Sequence, residues 1–207
     1  MNKFRDRTLK HFDELFLGNT PKGELPVLWP SRASQLLRFR TLAEIDDLND
    51  KTILDVGCGF GEFYYWLVER GVQLKDYVGI DLHPDVIRQA REAHPELKLS
   101  CTDILENDFQ PDELDYVIAS GLFNVELDDW DERTGLILDE MFRISKMGVS
   151  VNFLKPEAHY KNPKSHYVKI ADAANLAERY TNRYIIRCDY KDNDFTLYLH
   201  KVKRETS

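Results

Sequence analysis

Hydrophobic and polar residues follow two patterns along this chain. Short apolar runs predict buried strands, and stretches with apolar residues at every third or fourth position predict amphipathic helices. The predicted strands are Thr52–Val56, Tyr77–Ile80, Leu97–Cys101, Leu114–Ala119, Gly148–Leu154, Tyr184–Cys188 and Phe195–Val202. The predicted helices among them are Glu62–Arg70, Pro84–Ala93, Glu132–Ser145 and Ala171–Arg179.

The order of these elements predicts the fold class. Repeated strand–helix units indicate a parallel sheet with helices on both faces and right-handed crossovers. Only a short polar segment separates the last two strands, so we expect a hairpin that adds one antiparallel strand. The sequence therefore predicts an α/β, Rossmann-like sheet of seven strands, mostly parallel, with one antiparallel strand from a C-terminal hairpin.

Two helices joined by a loop are predicted in the first 50 residues. An apolar stripe that includes Phe4, Leu9 and Phe12 predicts a helix over residues 3–17. Prolines and glycine predict a loop over residues 19–30, and Ser31 is placed to cap a second helix that runs to about Ile45. We expect a single domain over residues 1–207, in which residues 1–50 form a helical cover and residues 51–207 the catalytic core.

Composition and charge narrow the possible partners. The formal net charge of −8 argues against broad capture of nucleic acid, which needs a basic face. Cys58, Cys101 and Cys188 are widely spaced, so no metal site is expected. The charged N-terminus is unlike a signal peptide and no apolar stretch approaches membrane-spanning length, so we expect a cytoplasmic protein without a membrane partner. The oligomeric state stays open.

The stretch from Ile53 to Gly61 carries the main motif. An apolar strand ends at Asp55-Val56, three glycines follow at alternate positions, and a helical pattern begins at Glu62. Glycines at such a turn let a ligand approach where a Cβ atom would clash, and N–H groups at the helix start face that ligand. The spacing Gly-x-Gly-x-Gly differs from the Gly-x-Gly-x-x-Gly of nicotinamide-binding proteins.

This Asp-x-Gly-x-Gly-x-Gly segment resembles motif I of the class I S-adenosylmethionine-dependent methyltransferases, and the resemblance extends from about Gln35 to Lys201. The segment before the first strand resembles that of small bacterial members. The resemblance implies S-adenosylmethionine as cofactor and S-adenosylhomocysteine as product. The cofactor-binding residues that it implies are Gln35, Arg38, Asp55, Gly57, Cys58, Gly59, Gly61, Asp81, Leu82, Asp103, Ile104 and Ser120.

The resemblance also implies a role for the main members of this set. Asp81 follows the second strand and would bind the ribose hydroxyls, as a carboxylate in that place does in nucleotide-binding folds. Asp103 and Ile104 would hold the adenine, with the carboxylate accepting from the exocyclic amine, and Leu82 would pack on the ring. Ser120 would lie near the transferred methyl group. Gln35 or Arg38 would reach the cofactor's carboxylate, and Arg38 is the better candidate because a guanidinium gives a carboxylate a bidentate partner.

Methyl transfer is an in-line displacement, so positioning matters most, and a general base helps only when the acceptor must lose a proton. The candidate catalytic residues are His166, Tyr160 and Tyr167 after the fifth strand, with His83 after the second. His159-Tyr160 and His166-Tyr167 form two His-Tyr pairs seven residues apart, in a segment expected at the carboxyl edge of the sheet.

The class of acceptor follows by elimination. Residues 119–124 lack the Asp/Asn-Pro-Pro-Tyr/Phe motif of amino-group methylases, and the chain has neither a Pro-Cys nucleophile nor a cluster for magnesium. A small-molecule acceptor is therefore predicted. One alternative is an RNA or protein methyltransferase, which a basic patch of Lys161, Lys164, Lys169, Arg179 and Arg183 would favour. Another is a non-catalytic partner subunit with the same fold.

Overall fold

The computed structural model describes residue 6 and residues 8–10, 31–157 and 161–201. The strands are β1 (Thr52–Val56), β2 (Asp76–Asp81), β3 (Lys98–Cys101), β4 (Leu114–Ala119), β5 (Ser145–Leu154), β6 (Tyr184–Arg187) and β7 (Asp194–His200). The helices are α1 (Arg32–Ala43), α2 (Glu62–Val68), α3 (Pro84–Ala93), α4 (Trp130–Ile144) and α5 (Ile170–Glu178). A short 3-10 helix covers Ile104–Glu106.

The strands form one seven-stranded sheet in the order β3-β2-β1-β4-β5-β7-β6. Neighbours from β3 to β5 are parallel, whereas β7 pairs antiparallel with both β5 and β6. The predicted fold class is confirmed, including the C-terminal hairpin. Because the strand order reverses between β1 and β4, a crevice opens beyond their carboxyl ends, where ligands bind in open α/β sheets.

Side chains from alternate strand positions fill two cores, one on each face of the sheet. On one face, Leu54 and Val117 pack with buried residues of α4 and α5. On the other face, Ile53 and Tyr116 pack against α1, α2 and α3. Alternation along each strand sends successive side chains to opposite faces, so one pattern of apolar residues supplies both cores.

Two element boundaries differ from the predicted ones for physical reasons. Helix α4 begins at Trp130 and not at Glu132, because the indole is buried and its Nε1 donates to the carbonyl oxygen of Phe123 at 3.0 Å. Strand β5 begins at Ser145, directly where α4 ends, and its register with β4 shifts between Leu114 and Tyr116. The remaining boundaries agree with prediction to within two residues, and those of β1, β4 and α3 agree at both ends.

The helix α1 begins where Ser31 predicts it, because the Ser31 hydroxyl accepts from the backbone N–H of Ser34 at 3.2 Å. It lies against β5 and β7, where the Ser150 hydroxyl donates to the carbonyl oxygen of Leu42 at 3.0 Å. Residues 8–10 are helical, whereas most of the predicted helix 3–17 and the predicted loop 19–30 lie outside the described residues. None of the helices in the described ranges is long and apolar enough to cross a membrane.

Candidate active site

The glycine turn after β1 is anchored to the end of β2. The backbone N–H groups of Gly57 and Cys58 both donate to the carbonyl oxygen of Ile80, at 2.8 and 3.0 Å. Gly59 has a φ angle of +55°, and a Cβ atom added there would meet no heavy atom within 4 Å. The turn therefore has a left-handed backbone that favours glycine, with open space beside Gly59 for a ligand to approach.

Asp81, the last residue of β2, holds this turn in place. Its Oδ2 accepts from the N–H of Gly59 at 3.1 Å, and its Oδ1 accepts from the N–H of His83 at 2.9 Å. Burial raises the pKa of Asp81, and the hydrogen bonds from His83 and Gly59 oppose that rise. The carboxylate keeps further acceptor capacity for donors from a ligand at this edge.

A cavity opens beside Asp81 at the carboxyl ends of β1, β2 and β3. Five of the predicted cofactor-binding residues line it: Gly57, Asp81, Leu82, Asp103 and Ile104. Leu122 and Phe123 from the loop after β4 and Trp130 from α4 form a wall that is mostly apolar. Thr8 and Leu9 also border the cavity, so this part of the N-terminal segment lies over the carboxyl edge of the sheet.

Asp103 lies between backbone and side-chain donors. Its Oδ1 accepts from the N–H of Leu105 at 3.0 Å, and its Oδ2 accepts from Nη2 of Arg133 at 3.2 Å. The Asp103 and Arg133 side chains are 1% and 6% exposed. A buried ion pair therefore stands at the end of the cavity where the resemblance places the adenine.

On the other side of the turn, α1 reaches the first residue of α2. Gln35 is buried, its Nε2 donates to Glu62 at 2.6 Å, and its Oε1 accepts from Arg32 at 2.5 Å. Arg32 also pairs with Glu62 at 2.6 Å. Gln35 thus lies close to the glycine turn, which is compatible with its predicted contact to the cofactor's carboxylate.

Arg38 and Ser120 lie apart from the cavity wall. Arg38 is buried and forms an ion pair with Asp194 at the start of β7, so its charge is already compensated within the protein. The Ser120 hydroxyl is buried without a hydrogen-bond partner among the described residues, directly after β4. Neither predicted role is tested by these contacts, and both stay predictions.

Asp55 and Cys58 lie behind the turn, facing the core. The Tyr77 hydroxyl donates to Oδ2 of Asp55 at 2.6 Å. Burial raises the pKa of Asp55 to about 7, a rise that the Tyr77 hydrogen bond opposes and the nearby Asp81 assists. Burial also raises the pKa of the Cys58 thiol, and this side chain fills the space beside Gly79. Asp55 and Cys58 therefore pack on the core side of the glycine turn.

The candidate catalytic residues fall on different parts of the structure. Nδ1 of His166 lies 2.8 Å from Oε2 of Glu126, and the imidazole stacks on the Trp130 indole with ring centres 3.7 Å apart. The Tyr167 hydroxyl accepts from the N–H of Asn162 at 2.8 Å within its own segment. His83 caps α3 through Nδ1. Tyr160, with His159, lies outside the described residues.

Three residues of this region were not predicted from the sequence: Glu62, Glu126 and Arg133. A signal did exist for Arg133, because it lies three residues after Trp130 and four before Ile137, on the apolar stripe of α4. A charged residue on such a stripe indicates a buried partner. Across the ranges that the structure describes, no three His, Cys, Asp or Glu side chains are grouped so as to hold a metal ion.

Residues 53–148 match the model of a protein family described as a methyltransferase domain. This match covers the glycine turn, Asp81 and Asp103. This match supports the resemblance of the chain to the class I S-adenosylmethionine-dependent methyltransferases, the class that uses S-adenosylmethionine as its cofactor.

Two relatives resemble particular parts of the chain. Rv1506c of Mycobacterium tuberculosis, which carries the name of a methyltransferase, is 29% identical over 161 residues, or 73% of this chain and 93% of the relative. A trans-aconitate 2-methyltransferase of Rhodopseudomonas palustris is 34% identical over 82 residues, or 40% of this chain and 31% of the relative.

Solved structures show the same fold. A methyltransferase from Aquifex aeolicus superposes with a TM-score of 0.65 at 18% identity, over 84% of this chain and 94% of that one. A magnesium protoporphyrin IX methyltransferase from Synechocystis, solved with S-adenosylhomocysteine, gives 0.61 at 12% identity, over 96% of both chains. The [4+2]-cyclase SpnF gives 0.65 at 13% identity, over 94% of both chains. At these identities the likeness concerns the fold alone.

Proposed function

We propose that this enzyme transfers the methyl group of S-adenosylmethionine to a small-molecule acceptor. The position of Asp81 carries the cofactor part of the proposal. Its carboxylate accepts a hydrogen bond from the N–H of Gly59 at 3.1 Å and also borders the cavity. A ribose bound in the cavity next to the glycine turn would therefore lie within reach of this carboxylate. In this arrangement Asp103 and Ile104 would receive the adenine, and Gln35 would approach the amino-acid end.

The distribution of basic residues supports a small acceptor. The five basic residues that would form an RNA-binding patch are separated by α5: Lys161, Lys164 and Lys169 precede it, whereas Arg179 and Arg183 follow it. This nine-residue helix spans roughly 14 Å, from the carboxyl edge of the sheet to the opposite edge. The five charges are therefore divided between the two ends of α5, and the net charge of −8 adds no attraction for a polyanion.

On the acceptor side, we propose His166 as the general base if the acceptor loses a proton. With the proton on Nδ1 and donated to Glu126, the Nε2 atom of His166 is left as an acceptor. Bound S-adenosylmethionine supplies a methyl group on a positively charged sulfur. The cofactor would give up this methyl group and keep the carbon–sulfur electron pair as S-adenosylhomocysteine, and Nε2 of His166 would take the proton that the acceptor atom loses.

Transfer of radiolabelled methyl groups tests the acceptor class. Purified protein is given labelled S-adenosylmethionine with separate metabolite, RNA and protein fractions of cell extract. We expect label in the metabolite fraction. Label in RNA or protein would contradict the small-molecule proposal, and tight cofactor binding without transfer to any fraction would instead support a non-catalytic subunit.

Variants at His166 then test the base. We expect His166→Ala to lower kcat with little change in KM for S-adenosylmethionine, and Glu126→Gln to have a smaller effect of the same kind. His94→Ala is a matched control, because His94 also pairs through Nδ1, with the Tyr65 hydroxyl at 2.7 Å, but lies at the end of α3. Wild-type kcat in His166→Ala across pH would remove His166 from the mechanism.

A further inference from the structure

Arg133 is a charged residue on the buried stripe of α4. It lies between Trp130 and Ile137 on the face that packs under the cavity, and only 5% of the residue is exposed. A guanidinium in such a place is costly unless a partner compensates its charge. Asp103 is that partner, at 3.2 Å between Nη2 and Oδ2, and both side chains line the cavity.

This contact fixes both oxygens of the Asp103 carboxylate. Oδ1 is held by the backbone N–H of Leu105 at 3.0 Å, and Oδ2 by the guanidinium of Arg133. The carboxylate therefore cannot rotate without losing one of these two hydrogen bonds. An ionised carboxylate only accepts hydrogen bonds, so the ion pair presents a fixed acceptor to a ligand in the cavity.

We propose that Arg133 is a positioning residue that holds Asp103 as a hydrogen-bond acceptor, so that the site selects a 6-amino purine and rejects a 6-oxo purine. This inference rests on the proposed placement of the cofactor's adenine beside Asp103. The amino group of adenine donates to the carboxylate. A 6-oxo group is itself an acceptor, and its contact with the carboxylate leaves two buried acceptors facing each other.

Loss of Arg133 changes this selection for a physical reason. An isolated buried carboxylate is unfavourable, so Asp103 would turn away from the cavity or take up a proton. A protonated carboxyl group can donate a hydrogen bond to an oxo group. A carboxylate that has turned away from the cavity forms a hydrogen bond with neither purine. In both cases the preference for the 6-amino purine falls. A residue that serves the fold alone would weaken binding of both purines equally.

The test compares two ligands by calorimetry: S-adenosylhomocysteine and S-inosylhomocysteine, which carries an oxo group in place of the amine. We expect wild-type protein to prefer the adenosyl compound by at least tenfold, and Arg133→Met to reduce that ratio at least fivefold. Arg88→Met is the control, because Arg88 on α3 forms exposed ion pairs with Asp85 and Glu92. Its ratio should equal that of the wild type.

Two further variants keep the test decisive if Arg133→Met folds poorly. Arg133→Lys retains the charge without the planar donor fork, and should retain part of the preference. Asp103→Asn offers an amide that can donate to an oxo group, so the ratio should shift towards S-inosylhomocysteine. Equal loss of both affinities in the Arg133 variants, with an unchanged ratio, would overturn the proposal. Failure of the wild type to bind either ligand would instead contradict the cofactor site itself.

Discussion

The guanidinium of Arg38 on α1 and the carboxylate of Asp194 at the start of β7 form an ion pair whose side chains are 2% and 0% exposed. Asn152 on β5 extends this contact, since its Nδ2 donates to Asp194 at 3.5 Å and its Oδ1 accepts from the N–H of Gly121 at 2.7 Å. The pair therefore connects α1, through Asn152, to the loop that follows β4, beside the candidate active site.

Breaking this ion pair should destabilise the protein strongly. Arg38→Met leaves the Asp194 carboxylate buried without its guanidinium partner, a change that typically costs about 3–5 kcal/mol. The free energy of unfolding in urea measures this loss. As a control, Arg187→Met removes a partly exposed arginine that pairs with Glu44 and Asp189, and should cost about 1 kcal/mol or less.

The double variant Arg38→Met with Asp194→Leu separates the cost of leaving one buried charge unpaired from the cost of changing the packing. Replacing both charges with apolar side chains of similar size should restore much of the stability lost in Arg38→Met, because the two fully buried charges are gone and Lys191, which pairs with Asp194 at 3.7 Å, is partly exposed to solvent. A double variant as unstable as the sum of the single variants would show that the two charges act independently.

Removal of the Asp81 carboxylate should weaken cofactor binding. We expect Asp81→Ala to reduce the affinity for S-adenosylmethionine at least tenfold in calorimetry, which corresponds to about 1.4 kcal/mol. The ribose hydroxyls would lose their acceptor, and the Gly59 N–H would lose its anchor. Asp76→Ala is the control at the opposite end of β2, where Asp76 pairs with Lys98 at 2.5 Å. Equal affinities of the two variants would remove the ribose role.

Two glycines with similar backbone conformations allow a second comparison. Gly59 and Gly71 have φ angles of +55° and +80°, and a Cβ atom at either would meet nothing within 4 Å. Substitution by alanine should cost each variant roughly 1–2 kcal/mol of stability, because both keep a left-handed backbone. Only Gly59→Ala should also weaken S-adenosylhomocysteine binding, since its methyl group would occupy the open space at the turn. Unchanged binding in Gly59→Ala would place the ligand elsewhere.

The buried Asp55 predicts a dependence of stability on pH. Its pKa is raised from 3.8 to about 7, chiefly by burial. Between these values the unfolded chain has released the proton and the folded protein still holds it, so a rise in pH favours unfolding. Wild-type protein should therefore lose stability relative to Asp55→Asn from about pH 4 to about pH 7, with a constant difference above that range. Urea unfolding at several pH values measures it.

A second variant tests the cause of that pKa. The Tyr77 hydroxyl stabilises the ionised form of Asp55 by donating to it at 2.6 Å. Tyr77→Phe removes this donor, so the loss of stability should extend to higher pH than in the wild type. If the free energies of unfolding of wild type and Asp55→Asn differed by the same amount at every pH from 4 to 7, the pKa of Asp55 would not be raised by burial.

Much of the fold follows from local patterns. Apolar runs and turn residues predict all seven strands, and the short segment between β6 and β7 predicts the antiparallel hairpin. The glycine turn and Asp81 could be placed together from the sequence, because each follows a strand and the carboxyl ends of neighbouring parallel strands meet at one edge.

The partners of buried charges depended on the tertiary structure. Nothing near Arg38 in the sequence indicates Asp194, and nothing near Asp103 indicates Arg133, because each pair joins segments far apart in the chain. For Arg38, the predicted contact with the cofactor's carboxylate stays a prediction, whereas its ion pair with Asp194 is visible only in the structure. Periodicity and turn chemistry act over a few residues, so the sequence by itself determines elements and their order. Which charges meet in the interior is decided only when sheet and helices pack, because burial makes each charge require a partner.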